Sequence, residues 1–82
     1  MAIITNLIQG HQNVQAHPTS VEGYVQILAD EAGKPLVHVS TWGSENRTTP
    51  RKQSQVIQFN ADSAAELVKY FAKAFGAEIL AP

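Results

Sequence analysis

Two stretches of alternating side chains are separated by only five residues. They are VEGYVQILA (Val21–Ala29) and PLVHVSTW (Pro35–Trp42), with DEAGK between them. Side chains two apart share a face of an extended chain, so each stretch reads as a strand with two distinct faces. The short connection forces the strands to run antiparallel, and Gly33 suits the positive φ of a bulged hairpin loop. In the first strand Val21, Val25, Ile27 and Ala29 share one face, with Glu22, Tyr24, Gln26 and Leu28 on the other. In the second, Val37, Val39 and Thr41 share a face opposite Leu36, His38, Ser40 and Trp42.

A third strand is expected in SQVIQFN (Ser54–Asn60), where Ile57 and Phe59 point one way and Val56 and Gln58 the other. The pattern then changes period. Ala64, Leu67, Val68, Phe71, Ala72 and Phe75 repeat at helical spacing, which predicts an amphipathic helix ending at Phe75. Asn60 suits its N-cap and Asp62 the positive end of its dipole, with Ser63 and Glu66 as a rival capping box. Glu66 and Lys69 are spaced as an i,i+3 pair, and Gly76 is expected to stop the helix through a left-handed cap.

The ends are less regular. MAIITNLIQ is rich in β-branched residues and predicts a strand or arm. Gly10–Ser20 reads as loop, and AEILAP as a short tail. The expected organisation is one domain over residues 1–82. Residues 1–20 form an N-terminal strand or arm plus loop, 21–59 the antiparallel strands, 60–76 the helix and 77–82 the tail. The fold class is α+β: an antiparallel sheet of three to four strands followed by one C-terminal helix packed on one face, in the order β-β-β-β-α. The helix stripe would cover Val25, Ile27, Val37, Val39, Ile57 and Phe59. With 82 residues, such a domain buries only about 60–65% of its unfolded surface. Small domains often gain burial by pairing, so a homodimer is expected.

Composition narrows the function classes. The formal net charge is −1, which disfavours a general polyanion binder, and cysteine is absent, which removes disulfides and thiolate metal ligands. No run approaches the ~20 apolar residues needed to cross a bilayer, and MAIITNLIQG lacks the basic region of a signal peptide. The expectation is a cytoplasmic protein without a membrane or a cofactor.

Catalysis finds little support. His11 and His17 match no standard zinc spacing, the five glycines are isolated rather than clustered as a phosphate loop, and Asp30 and Glu31 read as solvated turn carboxylates. No catalytic residue, metal site or enzymatic activity is expected.

The sheet face left open by the helix would carry Tyr24, Gln26, His38, Ser40, Trp42 and Gln58. The Trp42 end runs into TWGSENRTTPRKQSQ, which holds Arg47, Arg51 and Lys52, three of the six Lys and Arg residues. Exposed rings that stack on bases, beside cations that meet phosphates, suit single-stranded nucleic acid. Trp42 and Tyr24 would stack; Arg47, Arg51 and Lys52 would contact phosphate; Gln26, His38 and Gln58 would hydrogen-bond. Each has an ordinary reading too. Trp42 also suits a lid over the sheet end, Tyr24 plain sheet packing, the three cations a solvated loop, and His38 a wet strand position. The same face suits a protein partner, because Tyr, Trp and Arg are enriched at interfaces. The chain would then be a small adaptor or inhibitor, phage- or plasmid-borne, that docks on a larger protein.

The succession GKPLVHVSTW, TPRKQSQVIQF and NADSAAELVKYF resembles the single-stranded-DNA-binding transcriptional coactivators of the positive-cofactor-four type, over roughly residues 21–75. The resemblance implies a β-β-β-β-α fold, a homodimer paired through its helices, and binding of single strands or melted duplex along the sheets. It carries over to the loop cations Arg51 and Lys52 and to the adjacent Trp42. Gln55 and Val56 stand where that family usually has a Gly-Ile-type pair.

Overall fold

A computed structural model describes residues 1–42 and 53–81, with Trp42, Gln53 and Ser54 described by their backbone only. It contains strands β1 (Ala2–Ile4), β2 (Gly23–Ala29), β3 (Pro35–Trp42) and β4 (Gln53–Phe59), then helix α1 (Ala61–Phe75) and a 3-10 turn (Ala77–Leu80). The fold is α+β, with the expected order of four strands and a C-terminal helix.

The four strands form one sheet in the order β1-β4-β3-β2. β2, β3 and β4 are antiparallel neighbours. β1 runs parallel to β4, so the sheet is mixed rather than wholly antiparallel. The connection explains the difference. Residues 5–22 carry the chain from one edge of the sheet to the other, and a connection of that length crosses the sheet instead of turning back as a hairpin.

The hairpin between β2 and β3 is built by Asp30 and Gly33. Gly33 has φ +82°, and its N–H donates to the Asp30 carbonyl (2.9 Å) while Asp30 N–H donates to the Lys34 carbonyl (2.8 Å). The Asp30 carboxylate accepts from the backbone N–H groups of Ala32 and Lys34, both at 2.9 Å. Asp30 is therefore a turn-forming acceptor rather than a merely solvated carboxylate. β2 begins at Gly23, two residues later than the alternation predicts.

At its N-terminus α1 is closed by a reciprocal cap. The Asn60 side chain accepts from Ser63 N–H (2.9 Å), and Ser63 Oγ accepts from Asn60 N–H (3.1 Å). Asn60 is thus the N-cap, with Ser63 rather than Glu66 completing the box. Glu66 pairs with Lys69 at 3.3 Å on the exposed side. Gly76 ends the helix with φ 91° and ψ 149°. The positive φ agrees with expectation, but the ψ is extended, so the cap is not left-handed helical. The chain leaves the helix abruptly into the 3-10 turn.

The register sorts the strand residues into two faces. Val25, Ile27, Val37, Val39, Ile57 and Phe59 lie on one; Tyr24, Gln26, Leu28, Leu36, His38, Ser40, Val56 and Gln58 lie on the other. α1 is on the valine face, where Ala64, Leu67, Val68 and Phe71 form a groove of about 380 Å³ with Val25, Val37, Val39 and Phe59. Coverage is incomplete, since Val25 is 67% and Ile27 80% exposed. Width accounts for this. A helix about 10 Å across spans roughly two strands at about 4.8 Å spacing, and β2 is an edge strand. Among the described residues the buried hydrophobic side chains are Leu36 and Val56, both on the face away from α1. No helix among the described residues is long and apolar enough to cross a membrane.

Candidate nucleic-acid interface

The face opposite α1 is organised by strand register. Gln26 lies opposite His38, and His38 opposite Gln58, so these three side chains form one row across β2, β3 and β4. Ile3 of β1 extends the row beyond Gln58. One step along the strands, Tyr24, Ser40 and Val56 form a second row, and Leu28 pairs with Leu36 at the far end. The sequence predicts this grouping, and the structure places Tyr24, Gln26, His38 and Gln58 together on it.

The rows differ in character. Ser40 is 2% exposed and Val56 8%, so the sheet is covered at these two positions rather than left open as the alternation predicts, while the neighbouring Tyr24 is 43% exposed. In the first row the Gln58 Nε2 group lies 2.9 Å from His38 Nδ1. With the Gln58 amide donating, the neutral ring carries its proton on Nε2 and keeps a donor for another group. Gln26 is exposed at the edge-strand end. The face therefore offers neutral donors and acceptors beside a partly exposed ring. None of its residues on β2, β3 and β4 described above is Asp, Glu, Lys or Arg. Electrostatic attraction for an anion has to come from outside these strands.

The predicted cations Arg47, Arg51 and Lys52 lie outside the described residues, as does the Trp42 side chain. The backbone approaching them is informative. Thr41 pairs with Gln55 and Trp42 with Gln53, leaving Ser54 as an extra residue. Such a bulge bends the strand and interrupts alternation. The extra residue is on β4, so it is the alternation of β4 that is interrupted here. Sequence reading also begins β4 one residue late, because a bulge lengthens a strand without adding a side-chain period.

Among the described residues no group of three or more His, Cys, Asp or Glu side chains is placed to hold a metal ion. His11 and His17 are exposed. Compared with protein-family models, curated proteins and solved structures, the chain has no significant match. The resemblance to the positive-cofactor-four type rests on the order and spacing of residues 21–75.

Proposed function

We propose that this chain is a small non-enzymatic protein that binds single-stranded DNA or RNA across the Tyr24 face of its sheet. Tyr24 stacks on a base, Gln26, His38 and Gln58 supply hydrogen bonds, and Arg47, Arg51 and Lys52 meet the phosphates beside Trp42. The observation that carries the reading is the Gln26–His38–Gln58 row, neutral and polar, next to a ring that is 43% exposed on a face free of α1. Hydrogen-bonding edges next to a ring are what unstacked bases require. Transcription regulation is the process that the family resemblance suggests.

A second reading has its own supporting observation. The exposed Val25 and Ile27 on the valine face suit a protein-interaction module that acts by docking on a larger protein. One titration separates the two. A labelled single-stranded oligonucleotide is expected to bind saturably, with affinity falling as salt rises. Two or three neutralised phosphates per chain correspond to a log–log slope of about −1.4 to −2.1. Replacing Arg51 and Lys52 by alanine removes two of them and flattens the slope by about 1.4. Absence of binding at micromolar protein favours the docking module, and an unchanged slope removes these cations from the mechanism.

A further inference from the structure

We infer that a second copy of this chain pairs with β2 edge to edge, antiparallel and centred on Gln26, joining the two sheets into one of eight strands. Surface area is the first argument. A compact monomer of 8.9 kDa exposes about 4,800 Å², whereas this chain exposes 7192 Å². The excess, about 2,400 Å² per chain, covers the roughly 1,000–2,500 Å² that each partner contributes to obligate dimer interfaces of about 2,000–5,000 Å² in total. The radius of gyration is 15.1 Å, against about 12 Å for a compact chain of this length.

The edge itself is the second argument. Every residue of β2, Gly23–Ala29, is exposed. It pairs with β3 on one side, and no strand among the described residues pairs with the other. Sheet edges are normally guarded by proline, lysine, a bulge or extreme shortness. β1, at the opposite edge, is three residues long. GYVQILA has seven residues, with neither proline nor a charge, and the bulge of this sheet lies between β3 and β4.

The third argument is self-complementarity. A two-fold axis through Gln26 sets Val25 beside the partner's Ile27 and Tyr24 beside the partner's Leu28. Gln26 then meets the partner's Gln26. Apolar meets apolar on the valine face, ring meets leucine on the other, and the two amides lie side by side. The axis is perpendicular to the sheet, so both helices stay on the same side and flank the paired Val25 and Ile27. The opposite faces of the two copies become one continuous surface. This inference does not depend on nucleic-acid binding.

The chain contains no cysteine, which makes the register directly testable. Cα atoms of directly opposite residues in an antiparallel pair are about 4.5–5.5 Å apart, within the disulfide range of about 4.4–6.8 Å. The variant Gln26→Cys is expected to form a covalent dimer on mild oxidation. Leu28→Cys is not, because its symmetry mate is displaced by four strand positions, about 14 Å. Mixing Leu28→Cys with Tyr24→Cys restores cross-linking. Sedimentation equilibrium of the unaltered chain is expected to give twice the mass of 8.9 kDa. A monomer at tens of micromolar overturns the inference whatever the variants do. A dimer in which Leu28→Cys links to itself and Gln26→Cys does not overturns the register. A dimer in which no variant links overturns the edge pairing.

Discussion

The reciprocal cap of α1 makes a quantitative prediction. Asn60→Ala removes the oxygen that accepts from Ser63 N–H at 2.9 Å. A typical N-cap loss costs about 1 kcal/mol, but Ser63 is only 1% exposed. Water has little access to the abandoned N–H, and a buried unsatisfied donor costs about 1–3 kcal/mol. About 2 kcal/mol is therefore expected. At about 4–8 °C per kcal/mol for a domain of this size, the melting temperature should fall by about 8–16 °C. Thermal unfolding followed by circular dichroism at fixed chain concentration measures it, since self-association makes melting concentration-dependent. Asn60→Asp keeps the acceptor and adds negative charge at the positive end of the helix, so it should remain within about 0.5 kcal/mol of the parent. Ser63→Ala removes the return bond to Asn60 N–H at 3.1 Å. The double variant should lose less than the two single losses together, by at least about 0.5 kcal/mol, because both belong to one unit. An Asn60→Ala protein melting within about 2 °C of the parent refutes this reasoning.

Two further stability predictions test the turn and the two faces. Gly33→Ala should cost about 1–2 kcal/mol; no atom lies within 4 Å of the added Cβ, so φ +82° alone carries the penalty, and denaturant titration should show it. Leu36→Ala should cost about 2–5 kcal/mol because Leu36 is 7% exposed. Ile8→Ala, at 84% exposure, should cost less than about 0.5 kcal/mol. Comparable losses in the two would mean that Leu36 is not the core residue its burial makes it.

The hairpin and the helix were legible because local chemistry decides them. VEGYVQILA and PLVHVSTW alternate cleanly, five residues join them, and Asn60 precedes an unbroken apolar stripe. The pairing of Gln26 with His38 follows from hairpin geometry alone, which is why that part of the candidate site could be read in advance. β1 was less legible. Ile3, Ile4, Leu7 and Ile8 do not alternate, and a parallel pairing with β4, far along the chain, leaves no local signature. Coverage of the valine face was overestimated at β2, because periodicity marks which residues are apolar but not how many strands one helix can span. The bulge at Ser54 was invisible for a similar reason: one added residue looks like ordinary strand sequence. The extended ψ of Gly76 belongs to the same class, since glycine signals that a helix stops and leaves open which glycine conformation stops it.

The most direct measurement of a two-faced sheet is backbone amide NMR during titration with a short single-stranded oligonucleotide. Shifts concentrated at Tyr24, Gln26, His38 and Gln58, with Val37, Val39 and Phe59 little changed, are the expected result. Shifts centred on Val37, Val39 and Leu67, or none at all at saturating oligonucleotide, would contradict a nucleic-acid surface on the side of the sheet away from the helix.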